Sequence, residues 1–230
     1  MKIIERNIAT ADKKLKILNV GTGTGFTSEL LSKYGDVTSV EYESSCVEFV
    51  NTNTSLHLLQ GSILDLKFDD NSFDLVCAFD VIEHVEDDSK AANEMIRVAK
   101  KDGYVFISVP AFKSLWSRHD LINHHYRRYK KEQIFSLFLK SNKLQNIYST
   151  YFNTILFIPI YIARKLSNIK EKITGNKTNL NESSTDFDIA DNGITSSILK
   201  CLFSRELFFV EKKYSSPFGV SFTLLAKKVE

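Results

Sequence analysis

The stretch "ILNVGTGTGF", residues 17–26, decides the fold. An apolar run breaks into Gly21, Gly23 and Gly25 at alternate positions. Glycine suits a backbone that must take positive φ, or one that a ligand approaches with no Cβ in the way. One such glycine would make a turn. Three in five residues, directly after an apolar strand, predict a loop shaped around a ligand.

Outward from that loop the pattern alternates. "KILNV" (16–20) reads as a buried strand and "FTSELLSKYG" as a helix that sets Leu30, Leu31 and Tyr34 on an apolar face and stops at Gly35. "DVTSVEY" reads as a second strand, "SSCVEFVNTN" as a short helix, and "SLHLLQG" as a third strand. "FDLVCAFD" (73–80) is apolar almost throughout, as strands buried on both faces are. Residues 88–101 read as a helix ended by Gly103, and "GYVFISVP" as a fifth strand. Strands alternating with helices at this spacing predict an α/β fold with a parallel sheet covered on both faces.

Past Pro110 the periodicity loosens. "AFKSLWSRHDLINHHYRRY" reads as a long loop and "KKEQIFSLFLKSN" as a helix. "YFNTILFIPIYIARKL" (151–166) is apolar nearly all round. Residues 168–192 are polar and read as a mobile connection. A helix near 193–204, then "ELFFVEKKY" and "GVSFTLLAKK" as a terminal strand pair, complete the expectation.

The composition sets limits. At 230 residues, 43% hydrophobic and 25% charged, the chain suits one globular domain over 1–230. A net charge of +2 gives no electrostatic case for nucleic acid. The three cysteines lie far apart with no Cys-x-x-Cys pair, so neither a disulfide framework nor a zinc site is supported. The opening "MKIIERNIATADKK" lacks the apolar core of a secretion signal, which makes the cytoplasm the expected compartment.

A glycine loop between a parallel strand and a helix lies at the carboxyl edge of the sheet, where such folds bind ligands. Its exposed amides and the helix dipole favour anionic or polar groups. Glu41 falls at the end of the next strand, where a carboxylate can accept both ribose hydroxyls of a nucleoside. A dinucleotide site wants Gly-x-Gly-x-x-Gly, yet here Phe26 stands where the third glycine belongs. A Walker loop is excluded for want of Gly-Lys-Ser/Thr. A nucleoside ligand without phosphates suits the loop better, and S-adenosylmethionine is one.

At this point the chain resembles the class I S-adenosylmethionine-dependent methyltransferases. "ILNVGTGTGFTSELL" is similar to their first motif, "VTSVEYES" to their second, and "GSILDLKFDDNSFDLV" to the segment that wraps adenine. "FDVIEHVED" (79–87) resembles the motif at the end of the fourth strand. The likeness runs over 15–110 and implies a Rossmann-like three-layer αβα sandwich. Its seven-stranded sheet would be mostly parallel with an antiparallel last strand, 111–205 holding the substrate-side loop, lid helices and linker, and 206–230 the closing strands. It implies S-adenosylmethionine as cofactor, with Asn19, Gly21, Thr22, Gly23, Gly25, Glu41, Tyr42, Ser62, Ile63 and Phe79 around it. Asn19 and Ser62 stand where the family often has carboxylates, a departure that keeps open a cofactor-binding accessory protein without catalysis. A nicotinamide-dependent sugar oxidoreductase is the other rival, and Phe26 argues against it. The segments at 124–134, 151–166 and 216–228 resemble methyltransferases found beside glycosyltransferases, which implies a small or lipid-linked saccharide as methyl acceptor.

Methyl transfer to a hydroxyl needs alignment and a proton acceptor. His84 and His125 are the candidate catalytic bases, with His119 and His124 in the same loop. The competing reading of His84 is a packing or capping histidine. Asp80, Glu83 and His84 could share one pocket, and the resemblance implies magnesium there in some relatives; no metal is the expectation here. "HHYRRYKK" (124–131) offers Arg127 and Arg128 as a clamp for an acceptor phosphate. Its plain alternative is a solvated helix start. Residues 151–166 are too short and interrupted to span a bilayer. They read as a lid or core helix, or as peripheral membrane contact.

Overall fold

The computed structural model describes residues 1–8, 14–174, 206, 212 and 214–230. Its elements are α1 (Lys2–Asn7), β1 (Leu15–Val20), α2 (Phe26–Leu31), β2 (Gly35–Glu41), α3 (Ser44–Asn53), β3 (Leu58–Gln60), β4 (Phe73–Phe79), α4 (Asp88–Val98), β5 (Ala99–Pro110), α5 (Arg118–Ile122), α6 (Lys131–Phe138), β6 (Leu144–Phe152), α7 (Thr154–Thr174) and β7 (Ser221–Lys228). The seven strands form one sheet in the order β3-β2-β1-β4-β5-β7-β6. The pairs among β1 to β5 are parallel, and β7 runs antiparallel to both β5 and β6. The fold is the expected Rossmann-like sandwich.

Successive residues of a strand face opposite ways, so each central strand feeds two cores. Val76, Val105 and Ile107 pack with Met95 and Ile96 of α4 and Ile134 and Phe138 of α6 on one face. Their neighbours Leu75, Cys77 and Phe106 pack with Ile4 of α1 and Leu31 of α2 on the other. Two-sided burial is why β4 reads as a continuous apolar run.

Four local readings are corrected. The helix expected over 88–101 ends at Val98, because Ala99 pairs with Phe73 and Lys100 reaches the Asp74 carboxylate at 3.1 Å. Sheet pairing there outweighs the helical propensity of Ala-Lys-Lys. β6 was not expected at all. A register shift between Asn146 and Tyr148 breaks its alternation of apolar and polar residues. The last strand pairs with β5 on one edge and β6 on the other. Finally, 151–166 is two elements: β6 finishes at Phe152, Asn153 turns at φ 57°, and α7 begins at Thr154. α7 continues to Thr174, through the start of the segment read as a connection. The rest of that connection, the helix near 193–204 and most of "ELFFVEKKY" lie outside the described residues.

Candidate functional site

β1 delivers the chain to the carboxyl edge of the sheet, where the glycines turn it back into α2. Gly21, at φ +69°, donates its amide to the Val40 carbonyl at 2.8 Å, tying the loop to β2. A Cβ on Gly21 would stand 2.5 Å from Val81 Cγ2, so that position excludes any side chain. Gly23, at φ +52°, donates to Glu41 Oε2 at 2.7 Å. Glu41 Oε1 accepts the amides of Tyr42 and Glu43 at 2.8 and 3.0 Å. Three backbone donors thus fix an acid that is almost wholly buried.

Those residues line a cavity of about 620 Å³, together with Ser62, Ile63, Asp80, His84 and Tyr126. Nothing lies within 4 Å of where a Gly23 Cβ would stand, so the bare loop backbone borders open space. A nucleoside fits this donor set. The loop is uncrowded at Gly23, Glu41 keeps lone pairs for ribose hydroxyls, and Tyr42 offers an exposed ring for a base.

The other residues implied for the cofactor lie elsewhere. Asn19 is buried in β1 and spends its amide N–H groups on the Thr27 and Ser28 hydroxyls at 2.8 and 2.9 Å. Its Oδ1 has no partner among the described residues. Thr22 is buried, and its hydroxyl has no partner among the described residues. Gly25 forms the left-handed N-cap of α2 and packs on Leu56. Phe79 lines a neighbouring cavity on the α1 face of the sheet, its ring edge-on to Phe106 at 5.2 Å. These four shape the loop and its floor; they do not line the main cavity.

At the end of β4 the chain makes one 3-10 turn, Ile82–His84, and the His84 ring meets the His125 ring edge-on at 4.6 Å. The sequence separates these two histidines by α4, β5 and α5, and the fold brings them together. His125 Nδ1 lies 2.9 Å from Asp120 Oδ1, and Arg128 Nε donates to the same oxygen at 2.6 Å. Asp120 is fully buried. Burial alone would raise its pKa, but the His125 hydrogen bond and the Arg128 charge hold it at about 2. An ionised Asp120 makes His125 Nδ1 the donor, which leaves Nε2 able to take a proton. His84 titrates below the ordinary imidazole value, first through partial desolvation and then because His125 is close.

Asp120 is the member of this candidate site that sequence reasoning missed. A signal existed: Ser117-x-x-Asp120 is a capping box, and both of its hydrogen bonds are present at the start of α5.

The clamp expected from Arg127 and Arg128 is corrected. Arg128 is buried, paired with Asp120, and donates to the Ala111 carbonyl at 3.2 Å. Arg127 bonds Asp88 at 2.8 Å and the Glu86 carbonyl at 2.7 Å, leaving only an edge exposed. Arg127 is thus engaged in holding this loop onto the segment after β4, and Arg128 in pairing with Asp120 and bonding the chain at the end of β5.

Glu83 lies beneath the histidines with no exposed surface, and neither carboxylate oxygen has a partner among the described residues. Burial, reinforced by Asp80, pushes its pKa well above the usual carboxylate range. The ligand atoms of Glu83, His84 and His125 lie within 4.8 Å of one another, a grouping that could hold a metal ion. It differs from the Asp80, Glu83 and His84 set considered from the sequence, with His125 in place of Asp80.

Residues 18–107 match the family described as "Methyltransferase domain". A probable S-adenosylmethionine-dependent methyltransferase of Mycobacterium tuberculosis is 26% identical over 111 residues, 47% of this chain and 40% of that protein. A demethylmenaquinone methyltransferase of Staphylococcus aureus is 32% identical over 119 residues, 46% of this chain and 49% of that one. The chain thus spans half or less of these relatives' length. Among solved structures, the YcgJ protein of Bacillus subtilis superposes with a TM-score of 0.59 at 17% identity, covering 100% of this chain and 98% of its own. A putative methyltransferase of Haloferax volcanii, solved with the activator Trm112, gives 0.60 at 15% identity over 96% and 86%. Those two likenesses establish the fold. Over 18–107, the stretch that holds the glycine loop and Glu41, the chain matches a methyltransferase domain and is similar to S-adenosylmethionine-dependent methyltransferases.

Proposed function

We propose that this protein transfers a methyl group from S-adenosylmethionine to a hydroxyl of a small or lipid-linked acceptor. The observation that carries the reading is one cavity with the Glu41–Gly23 pair on one wall and His84, in contact with the Asp120–His125 pair, on another. When bound, the cofactor supplies a methyl group already activated by a positively charged sulfur. Glu41 would hold the ribose, and the loop around Gly21 and Gly23 would face the polar tail. His125 takes the acceptor proton on Nε2, and ionised Asp120 stabilises the imidazolium that forms. His84 narrows the approach to that nitrogen.

A saccharide is the acceptor class we favour, supported by the resemblance of the later segments to methyltransferases found beside glycosyltransferases. One relative is instead named for demethylmenaquinone, so the decisive panel includes glycans and quinones. Titration calorimetry with S-adenosylmethionine tests the cofactor half, and absence of binding at millimolar cofactor overturns the reading. Binding without methylation of any acceptor in the panel would favour an accessory protein.

A second reading has its own observation. The two unpartnered oxygens of buried Glu83, beside His84 and His125, suit a divalent cation that would assist deprotonation of the acceptor. Glu83 and the two imidazoles would hold the ion, and Asp120 would orient His125 from behind. Turnover that survives exhaustive chelation without loss rejects this reading and leaves the first standing.

We place the protein in the cytoplasm, touching membrane through α7. No described helix is long and apolar enough to cross a bilayer. Ile155, Ile158, Ile162 and Leu166 nevertheless form an exposed apolar stripe along α7.

A further inference from the structure

A second cavity, of about 400 Å³, lies on the α1 face of the sheet and plays no part in the chemistry above. Its floor is a single register row. Phe79 of β4 pairs with Ser108 of β5, Ser108 with Thr223 of β7, and Thr223 with Thr150 of β6. Three strand spacings make this row about 14 Å long. Phe106 and Phe152, each two residues along from a row member on its own strand, close the sides. The row is less polar than its composition. Thr223 donates its hydroxyl to the Ile107 carbonyl at 2.7 Å, and Thr150 donates to the Tyr151 carbonyl at 2.8 Å. Both threonines have therefore committed their hydroxyl protons to the backbone.

The two ends of the row differ. Phe79 immediately precedes Asp80, which lines the main cavity, and Asp80 donates its amide to the Ser108 carbonyl at 2.9 Å. At the far end Thr150 also lines a third cavity, of about 440 Å³, bounded by Ile155, Tyr214 and Phe218. Glu206 borders both cavities, but its Oε1 accepts the Thr154 amide at 2.9 Å and caps α7. Taken end to end, the third and second cavities, which share Thr150 and Glu206, make an apolar passage from Ile155, first residue of the exposed stripe on α7, to Phe79, the chain neighbour of Asp80 in the main cavity.

We infer that this passage holds an apolar chain of the methyl acceptor, so that the acceptor is an amphiphile with a long hydrocarbon or isoprenoid tail. The inference rests on the methyl-transfer reading of the main cavity. A polar acceptor would leave this row and its aromatic sides without a function, whereas a chain desolvates them at about 25 cal/mol per Å² of apolar surface covered. The methyl-accepting hydroxyl then sits at the Phe79 end, on the side of Asp80 and the main cavity, and the tail leads out toward the surface where α7 presents its stripe. Apolar walls with few polar groups are the usual construction of a ligand site of this size.

The test uses the full chain and two photoreactive probes, C15 isoprenoid alcohols carrying a diazirine beside the hydroxyl in one, which reports the Phe79 end, and near the tail in the other, which reports the Ile155 end. Crosslinked residues are mapped by mass spectrometry, and S-adenosylmethionine affinity is measured on the same samples. Adducts are expected on Phe79, Phe106, Phe152 and Ile155. Two plugs, Ile3→Trp in the second cavity and Ile155→Trp in the third, should each lower labelling of Phe79 by about tenfold, equivalent to about 1.4 kcal/mol. Ile162→Trp, on the stripe but outside both cavities, should leave it unchanged. Cofactor binding should be intact in all three variants. Adducts confined to the outer stripe, or labelling of Phe79 that ignores both plugs, would overturn the passage while the cofactor site stands. Loss of cofactor binding in the unmodified chain would instead overturn the methyl-transfer reading itself.

Discussion

Glu41 Oε2 accepts the Gly23 amide at 2.7 Å, so the acid ending β2 and the middle glycine of the loop share one hydrogen bond. The acid is therefore a loop brace as well as a ribose acceptor. Glu41→Ala should weaken S-adenosylmethionine binding by about 1–3 kcal/mol, the usual cost of losing hydrogen bonds to a charged group. Calorimetry reads this directly. Unchanged affinity would place the ribose elsewhere.

Substituting the glycines should separate folding from binding. Gly21→Ala drives a Cβ against Val81 at positive φ and should cost about 1–3 kcal/mol of stability. Gly23→Ala meets open space and should cost only about 1–2 kcal/mol of backbone strain. Its main effect should fall on cofactor affinity, because the new methyl group enters the cavity. Thermal unfolding with and without cofactor distinguishes the two variants.

Asp120 predicts an acid limit. Its ordinary pKa of 3.8 is held at about 2 in the folded protein, so its ionised form favours folding above pH 3.8. That contribution, about 2 kcal/mol, is lost as pH falls through the folded value near 2. Asp120→Asn should therefore flatten the loss of stability between roughly pH 4 and 2, a window that follows from the linkage of pKa to folding. Denaturant titrations across that range give the slope, and an unaltered slope would mean that Asp120 is not the group lost. The same variant should reduce kcat and leave cofactor Kd unchanged, since His125 loses the partner that fixes its tautomer.

How much of this could be read from the chain depended on whether local sequence carried the determinant. β1, the glycine loop, β2 and β4 were legible because apolar runs and glycine placement are local signals. β6 was not, since the irregularity at Asn146 and Tyr148 erases its period of two. The Asp120–His125–Arg128 network was half legible. Its histidine stood out, but a buried acid looks like any other acid in a sequence. Arg128 misled for the same reason: an arginine pair reads as an anion site until the partner that neutralises it is seen.

The two arginines should behave differently. Arg128→Ala strands the buried Asp120 carboxylate and should destabilise the protein by about 3–5 kcal/mol. Arg127→Ala removes a half-exposed pair and should cost under about 1 kcal/mol. Urea unfolding of both variants gives the comparison. Equal small losses would return Arg128 to the role of a free anion ligand.

The α7 stripe predicts lipid association. The chain should co-sediment with anionic vesicles, and Ile158→Asp with Ile162→Asp should abolish this while leaving cofactor affinity intact. Exposed charges are screened over about 8 Å at physiological ionic strength, so added salt should weaken the part owed to exposed Lys165 of α7. Sedimentation that is absent, or that ignores both substitutions, would reject membrane contact by this helix.

The position of β7 between β5 and β6 has a consequence for how the protein is made. On a ribosome β6 emerges long before the strand it must pair with, and β5 waits with one edge unsatisfied. The nascent chain can assemble the parallel half of the sheet early, but β6 gains its ladder only when Ser221–Lys228 has left the exit tunnel. Until then two exposed strand edges invite pairing with other chains. A truncation before residue 221 should therefore yield a sheet missing its centre-right strand, not merely a shortened tail, and should aggregate during synthesis.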